Sequence, residues 1–555
     1  MTVSILDETL RQLAANDIIP RIWAKDPTVW GQPAQDSHEI VNRLGWLASP
    51  GQMQAKVGEI LAFAQRIREE RFSDIVLLGM GGSSLASYVL ARAFPAMPEY
   101  PRLHMLDSTV PAAILACEAR IDLSRTLFIV ASKSGGTIET LSLYKHFWAR
   151  VSGIADAPGR HFVVITDPNS DLETLARKNK FRAVFLNPSD IGGRYSAISL
   201  FGLVPAALIG MDIGRLLQTA EAMAAQCGPQ VPLAKNGGAV LGAFMGAHAM
   251  AGQDKLTLVI SPPIAEFGLW AEQLVAESTG KDGKGILPVC NSSVIPTTPH
   301  TADRAYIYIR FGGDTTFDVA IDALARAGAP VFHRDVRDPY DLGAEFYCWE
   351  MATTVAGHLL GIHPFNQPSV ALAKRTTSGM LEAYKRDARL PDSPPDWSDG
   401  DMFLCGTGVE ANSLESGLRP FFASIKSGDY CALLAYLAPD SEWNLPLAAI
   451  QQSITECFGT TATVGYGPRY LHSTGQLHKG GPATGHFIIL TADDPRDVSI
   501  PGESYSFSIL KNAQALGDLE TLRSLGRPAI RIHLGQDIGA GLQRVQTAIA
   551  AAHGK

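Results

Sequence analysis

The chain has 555 residues, 46% of them hydrophobic and 18% charged. This length exceeds that of a domain built around a single hydrophobic core. Two to four domains are therefore expected, and the composition is that of a well-packed enzyme rather than a disordered scaffold. A formal net charge of -8 argues against nucleic acid or an anionic membrane as the main partner. A small anionic substrate stays compatible, because helix N-termini and a few cations can hold one.

The seven cysteines are scattered and form no CxxC pair, which predicts a reducing compartment and no zinc site. The N-terminal stretch is polar and lacks the apolar region of a secretory signal. The longest apolar run, "SAISLFGLVPAALIG", is interrupted by Ser199 and Pro205 and predicts a buried helix rather than a membrane span. We therefore expect a cytoplasmic protein.

Along the chain, residues 1–45 predict an N-terminal helical segment. Continuous apolar runs follow between Asp74 and Leu186, namely DIVLL, LHML, TLFIVA, HFVVIT and AVFL. Continuous rather than alternating apolarity is typical of strands that are buried on both faces. We predict a doubly wound parallel sheet in a first α/β domain, residues 46–235.

A second α/β domain is predicted for residues 236–390, with strands at KLTLVIS, RAYIYIRF and APVFH and helices at AEFGLWAEQLVAE and LGAEFYCWEMATTVAGHLL. The stretch "LPDSPPDWSDGD", residues 390–401, predicts a linker. The runs DYCALLAYL, ATVGYG, GHFIILTA and PAIRIHLG then predict the strands of a C-terminal α/β block, residues 391–555. This block either forms its own domain or completes the second sheet.

A glycine-rich loop, "LLGMGGSSLASYV", places Gly82 and Ser83 between a predicted strand and a predicted helix. Glycines let the backbone approach an anion closely, and the free N–H groups of the next helix point at it. A dinucleotide site is the alternative, since GMGGSS nearly matches GxGxxG and Asp107 ends the next strand. Ser84 replaces the third glycine of that motif, which weakens the alternative.

The second loop, "IVASKSGGTIETL", offers the hydroxyls of Ser132, Ser134 and Thr137 at the start of a helix. Both loops fall at the carboxyl ends of predicted strands, where open parallel sheets bind ligands. The hydroxyl-rich loop fits a single phosphate monoester better than a pyrophosphate. Two tight turns with capping hydroxyls are the structural alternative.

These motifs resemble the glucose-6-phosphate isomerase family. GMGGSS and SKSGGTIET are similar to its two sugar-isomerase (SIS) loops, the second of which is usually SKTxTTxET. GGRYS, ESTGK and PFNQPSVALAK resemble three further signatures in the family's order, and the C-terminal stretch resembles the isomerase half of fused transaldolase/glucose-6-phosphate isomerases. The resemblance implies two SIS-type, doubly wound, flavodoxin-like domains with an additional C-terminal α/β block.

The resemblance also implies an aldose–ketose isomerisation of D-glucose 6-phosphate and D-fructose 6-phosphate without metal or organic cofactor. Glu277 would be the base that moves a proton between C2 and C1 through a cis-enediol. Arg194 would stabilise the enediol oxygens, and Lys374 would lie near the ring oxygen or the anionic group. Gln367 would contribute a hydrogen bond, and Lys133 would add backbone N–H and positive charge to the phosphate loop. An ion pair for the arginine and a helix-surface position for Lys374 are the structural alternatives.

Ring opening needs a group that titrates near neutrality, and histidine is the usual choice. "HSTGQLHKGG" resembles the family's histidine segment, which makes His472 the counterpart, displaced beyond Lys374. His300 occupies the usual place in the order but lacks the surrounding pattern, so both histidines stay open. His478 is expected to be a neighbour of the site or a group on its phosphate side, and a metal site of His472, His478 and His486 fits no standard ligand spacing.

The Gly135-Gly136 pair departs from the family's usual phosphate loop. An isomerase of another C6-anionic sugar, such as 6-deoxy-6-sulfoglucose, is therefore an alternative function. A non-catalytic SIS module that senses sugar phosphates is a second alternative, although it has no need of the four catalytic residues, and no basic DNA-binding segment is present. A homodimer and a functional link to transaldolase are left open.

Overall fold

The computed structural model describes residues 4–31, 34–290, 302–439 and 442–553. Within this described part, no helix is both long and apolar enough to cross a membrane. The chain divides into two compact units. The first unit comprises Met1–Leu106, Ile121–Tyr144 and Arg150–Gln367, and the second comprises Asp107–Arg120, Lys145–Ala149 and Pro368–Lys555. The four-part division at residues 45, 235 and 390 stays a prediction.

The strands of the described residues are β1 (Asp74–Gly79), β2 (Arg102–Leu106), β3 (Thr126–Ala131), β4 (Phe162–Thr166), β5 (Ala183–Leu186), β6 (Lys255–Ile260), β7 (Leu287–Val289), β8 (Arg304–Phe311), β9 (Val331–Val336), β10 (Trp397–Asp399), β11 (Met402–Cys405), β12 (Tyr430–Ala435), β13 (Thr461–Tyr466), β14 (Gly485–Thr491) and β15 (Ala529–His533).

The α-helices of the described residues are α1 (Ile5–Ala15), α2 (Ile18–Trp23), α3 (Ser37–Val41), α4 (Ser49–Gln54), α5 (Val57–Glu69), α6 (Leu85–Ala93), α7 (Pro111–Arg120), α8 (Ile138–Ser152), α9 (Asp171–Lys178), α10 (Leu200–Leu208), α11 (Ile213–Gln226), α12 (Gly237–Met250), α13 (Phe267–Thr279), α14 (Asp318–Arg326), α15 (Leu342–Leu360), α16 (Pro368–Asp387), α17 (Leu414–Ala423), α18 (Asn444–Phe458), α19 (Gly475–Gly480), α20 (Phe507–Ser524) and α21 (Ile538–His553).

The first sheet confirms the five parallel strands that the apolar runs predict. Its strand order is β2-β1-β3-β4-β5, which is the order of flavodoxin-like sheets. The strand order reverses between β1 and β3, so the crevice at their carboxyl ends is the expected ligand position. Gly79 is paired with Ala131 in the parallel register, which makes the two predicted loops leave the sheet side by side.

The second sheet of the first unit has the order β7-β6-β8-β9, with every pair parallel. Three of its strands are the predicted ones, and α15 covers the helix predicted for residues 342–360. The apolar run expected to be a core helix is α10, and each of its residues is buried. The short β7 has only three residues and contains Pro288, so no strand pattern announces it.

The sheet of the second unit has the order β10-β11-β15-β14-β12-β13. The four predicted strands form its parallel part, and β11 and β10 extend it with antiparallel pairs. Strand β10 lies within residues 390–401, so the prediction of a linker over that whole stretch is wrong. Trp397 packs against the hydrophobic core of this unit, and this burial stabilises the segment as a strand of the sheet.

Each unit has a hydrophobic core of its own. In the first, the inward side chains of β1 and β3 belong to one hydrophobic cluster that also contains large aromatic residues, including Trp270 and Trp349. In the second, Leu433, Ile488 and Ile532 occupy the centre of the sheet and are covered by helices such as α18 and α21. The mixed α/β architecture with parallel sheets is therefore the predicted fold class.

Candidate active site

The hydroxyl-rich loop after β3 folds into a compact turn before α8. Ser132 Oγ lies 3.0 Å from Thr137 Oγ1 and accepts a hydrogen bond from the Gly135 N–H at 3.2 Å. Gly135 has φ +75°, a conformation that favours glycine. Ser134 is exposed at the tip of the turn. The loop thus presents hydroxyl and N–H donors at the start of a helix, an arrangement that suits an oxyanion.

The charge of Lys133 is compensated within this loop region. Its ammonium group forms an ion pair with Asp167 and donates to the Ser189 carbonyl at 3.0 Å. Burial raises the pKa of Asp167, and the nearby ammonium group of Lys133 acts in the opposite direction. The loop therefore offers an anion mainly hydroxyl and backbone donors rather than an unpaired cation.

The glycine-rich loop after β1 packs tightly against the turn that carries Arg194. A Cβ atom on Gly82 would lie 2.1 Å from the Gly193 carbonyl oxygen, which no side chain tolerates. Ser196 Oγ donates to the Gly82 carbonyl at 3.1 Å, and Ser83 is buried beside it. The structure therefore explains Gly82 by close backbone approach to the arginine turn.

Arg194 is buried, and its guanidinium group is held from several directions. Nε donates to Ser278 Oγ at 2.8 Å, and Nη2 donates to the carbonyl oxygens of Pro364 and Asn366 at 2.7 and 3.0 Å. Nη1 donates to Gln367 Oε1 at 3.4 Å. The guanidinium group is planar, and these acceptors fix its orientation. The positive charge of Arg194 is therefore held in a defined position.

Glu277 lies in the last turn of α13, and its side chain is 6% exposed. Its Oε2 lies 3.6 Å from Arg194 Nη1, beyond a direct hydrogen bond, and accepts from Gln273 Nε2 at 3.2 Å. A carboxylate near a helix C-terminus opposes the helix dipole, which is unusual for a purely structural residue. The site therefore holds a buried carboxylate beside a buried cation without a closed ion pair.

Four residues of this cluster were not predicted from the sequence. Gln273 precedes Glu277 by one helical turn, so an i, i+4 search along α13 would have found it. Ser278 and Lys281 belong to the ESTGK motif itself. His363 directly precedes the PFNQPSVALAK motif, and this position is the feature of the sequence that could have indicated it as a site residue.

In the second unit, Lys374 is exposed on α16 and His472 is half-buried at the end of a 3-10 turn, Arg469–His472. The two segments that carry them are joined by Gln476, a residue of the HSTGQ pattern. Its Oε1 accepts from the Ser369 N–H at 2.9 Å, which caps the start of α16, and its Nε2 donates to Ser369 Oγ at 3.2 Å. Two motifs more than 100 residues apart in sequence thus meet in this unit.

The turn that carries His472 is anchored by its first two residues. Arg469 forms a two-point ion pair with Asp107, at 2.6 and 2.9 Å, and Tyr470 donates to Asp518 Oδ2 at 2.6 Å. His478 is fully buried, and its Nδ1 lies 2.9 Å from the Tyr430 hydroxyl. Burial holds the pKa of His478 well below its ordinary value, with Lys479 and Arg527 adding to the effect.

The structure thus brings Glu277, Arg194 and Gln367 together in the first unit. The segments that carry His472 and Lys374 are joined by Gln476 and Ser369 in the second unit, and the division of the chain falls between Gln367 and Pro368. His300 lies outside the described residues.

The parallel α/β fold and the SIS-type loops define a sugar-isomerase-like protein, and comparisons with known proteins specify it further. The phosphoglucose isomerase family model matches residues 61–293. A glucose-6-phosphate isomerase from Trichormus variabilis is 31% identical over 420 residues, which cover 66% of this chain and 76% of that protein. One from Rubrobacter xylanophilus is 30% identical over 375 residues, covering 57% and 84%.

Among solved structures, a hypothetical protein from Thermus thermophilus superimposes with a TM-score of 0.57 at 25% identity, covering 67% of this chain and 96% of that chain. A glucose-6-phosphate isomerase from Chlamydia trachomatis has the same TM-score of 0.57 at 18% identity, covering 68% and 86%, and supports the fold alone. This chain belongs to the glucose-6-phosphate isomerase family. The family match at residues 61–293 includes both loops, Arg194 and Glu277, whereas Lys374 and His472 lie outside it.

Proposed function

We propose that this protein is an aldose–ketose isomerase that interconverts D-glucose 6-phosphate and D-fructose 6-phosphate. The observation that carries the proposal is the buried Glu277 carboxylate, 3.6 Å from Arg194 and inside the segment that matches the family. A sugar phosphate is accordingly the substrate class.

The chemistry requires one base that reaches two adjacent carbons. In the direction from aldose to ketose, Glu277 takes the proton from C2 of the open-chain sugar, and a cis-enediol forms across C1 and C2. Arg194 Nη1 faces the same carboxylate, which supports a role for Arg194 in stabilising negative charge on the enediol oxygens. Glu277 then returns the proton to C1 while the hydroxyl proton of O2 moves to O1 and the carbonyl is left on C2, so the base is regenerated and the sugar is isomerised without loss of atoms.

We propose that the substrate's terminal anion is bound by the loop of residues 132–137. The hydroxyls of Ser132, Ser134 and Thr137 and the N–H groups at the start of α8 are the donors. Because Asp167 compensates Lys133, the loop's affinity for an anion depends on these donors more than on net charge. A sugar with a singly charged sulfonate at C6 should therefore be tested as a substrate beside the sugar phosphate.

We propose that His472 opens the sugar ring and that Lys374 acts near the ring oxygen or the anionic group. Support for these roles comes from their motifs and from the way Gln476 ties the two segments together in the second unit. His300 stays the alternative for ring opening. A homodimer and a functional link to transaldolase also stay predictions. The predicted cytoplasmic location is supported by the seven cysteines, all of which are free.

A coupled assay on glucose 6-phosphate, mannose 6-phosphate and 6-deoxy-6-sulfoglucose tests the function. The first substrate should be turned over most efficiently, and preference for the sulfonate would assign the enzyme to another C6-anionic sugar. No turnover of any substrate, with binding retained, would favour the sensor alternative.

The base assignment is tested by Glu277→Gln, which keeps the shape of the side chain and removes the proton acceptor. We expect turnover to fall by about 10²- to 10⁴-fold with substrate binding retained by calorimetry, because proton transfer is lost while the binding groups stay in place. Glu272→Gln, on the same helix, is the matched control and should stay close to the wild type. Near-normal turnover of Glu277→Gln would reject the assignment.

A further inference from the structure

The orientation of Arg194 depends on one short segment, the turn of residues 361–367 between α15 and α16. This turn supplies the Pro364 and Asn366 carbonyl oxygens and the Gln367 side chain, which accept from the guanidinium group at 2.7, 3.0 and 3.4 Å. These residues lie more than 160 positions from Arg194 in sequence. Whatever holds the turn in place therefore also aims the arginine.

Lys281 holds this turn from the side of the ESTGK motif. Its Nζ donates to the His363 carbonyl at 2.5 Å, and the lysine is buried, with 3% of its surface exposed. Burial holds the pKa of Lys281 well below its ordinary value, and the charge of Arg194 adds to this effect. An amine donates an N–H whether or not it is protonated, so the hydrogen bond persists in either state.

His363 closes the turn from within. Its Nδ1 accepts from the Phe365 N–H at 3.1 Å, which places the ring proton of the neutral imidazole on Nε2. Burial, together with Lys281 and Arg194, lowers the pKa of His363 to about 3, so the ring is neutral near pH 7. The Phe365 ring in turn packs at 5.3 Å from Tyr195, the residue next to Arg194.

We infer that Lys281 and His363 are positioning residues that fix the 361–367 turn and thereby hold the Arg194 guanidinium group beside Glu277. This inference rests on the proposed isomerase function. Neither residue needs to touch the sugar. They set the angle and distance between the Arg194 guanidinium group and the negative charge that develops in the transition state. A change in this geometry should lower kcat and leave substrate affinity nearly unchanged.

Lys281→Met tests the inference, because it keeps the apolar stem and removes the donor. We expect kcat to fall by about 10- to 100-fold with KM changed by less than about threefold, since a displacement near 1 Å in the site has an effect of this size. Lys284→Met is the matched control. Lys284 lies three residues away, is exposed, and donates to the Leu360 carbonyl at 2.7 Å, outside the 361–367 turn, so kcat should stay within about twofold.

A pair of His363 variants separates positioning from general loss of structure. In His363→Asn the amide oxygen can accept from the Phe365 N–H as Nδ1 does, whereas His363→Leu cannot. The asparagine variant should keep kcat within about threefold and the leucine variant should lose about tenfold or more, both with little change in KM. Urea unfolding midpoints of all variants check that the fold is retained.

Wild-type turnover is measured first, so that failure of the proposed function is seen separately as an inactive wild type. With an active wild type, unchanged kcat in both Lys281→Met and His363→Leu would overturn the positioning role. A parallel loss of kcat and rise in KM, with a lowered unfolding midpoint, would also overturn it in favour of a structural role.

Discussion

Two sets of buried charges, one in each unit of this chain, are arranged differently. In the first, the carboxylate of Glu277 and the guanidinium group of Arg194 stand 3.6 Å apart, and each has other hydrogen-bond partners. In the second, Lys479 pairs with Asp518 at 2.5 Å and Lys511 pairs with Asp494 at 2.6 Å, and these four side chains are almost completely buried. The charges in the second unit form closed ion pairs, whereas Glu277 and Arg194 lie beyond direct hydrogen-bond distance of each other.

The difference has an energetic consequence. A buried closed pair resists the loss of either partner, because the remaining charge would be left without compensation. An open pair in which each charge is held by neutral hydrogen-bond partners is easier to alter without unfolding, so substitutions there are expected to affect the reaction more than the stability. We therefore expect substitutions in the two clusters to separate stability from catalysis.

The largest expected effect on stability is that of Asp518→Asn. It leaves the Lys479 ammonium group buried without its counter-charge and weakens the hydrogen bond from Tyr470, so the free energy of unfolding should fall by about 3–5 kcal/mol. Urea unfolding measures the change. Glu382→Gln, which removes the exposed pair with Lys385, is the control and should change stability by less than about 1 kcal/mol. A loss of similar size in both variants would contradict the stabilising role of the buried closed pair.

The next largest effect is expected for His472→Ala, which tests the contribution of the second unit to the reaction. Turnover of pyranose substrates should fall by about 100-fold, near 2.7 kcal/mol, while open-chain analogues should be affected much less. Rates with both substrate forms are compared for His472→Ala and His300→Ala. The same selective loss in His300→Ala alone would transfer the ring-opening role to that residue.

The smallest expected effect, over the range from pH 7 to pH 5, is a pH dependence that His363 imposes on the first unit. The folded protein holds the pKa of this residue at about 3, below the ordinary value of 6.5, so the unfolded chain binds the extra proton first as the pH falls. The contribution of neutral His363 to the free energy of unfolding is fully present above pH 6.5. As the pH falls from 6.5 to about 3, this contribution decreases by up to about 1.4 kcal/mol per pH unit.

Urea unfolding at pH 7, 6 and 5 measures this dependence, with His363→Asn as the comparison. The variant should show a shallower fall in stability, because one titrating group has been removed while the remaining histidines are the same. Equal slopes for the two proteins would contradict the buried neutral state of His363.

Much of the fold follows from local pattern. The five runs from Asp74 to Leu186 are continuously apolar because their strands are covered on both faces, and the structure has a strand at each of them. Strands β7, β10 and β11 escaped prediction because they have three or four residues, too few for a pattern to emerge. Their pairing is decided by the neighbouring strand rather than by their own composition.

The candidate site was predicted in part for the same reason. Glu277, Arg194 and the loop hydroxyls lie in motifs that can be read from consecutive residues. The carbonyl oxygens that orient Arg194 carry no side-chain signature at all, so no residue type at positions 364 and 366 announces the contact. Likewise, the pairing of Lys133 with Asp167 joins two strands' ends and is invisible in the loop sequence.

The sequence by itself determined which residue types are present, the alternation of strands with helices, and the two loops that leave β1 and β3. Those features depend on interactions among near neighbours, which the order of residues specifies directly. Only the tertiary structure decided that Arg194 faces Glu277 while the turn of residues 361–367 holds its guanidinium group. It also decided that Gln476 caps the helix of Lys374. Such contacts form when packing of the core brings distant segments together, and their geometry depends on backbone atoms that every residue shares.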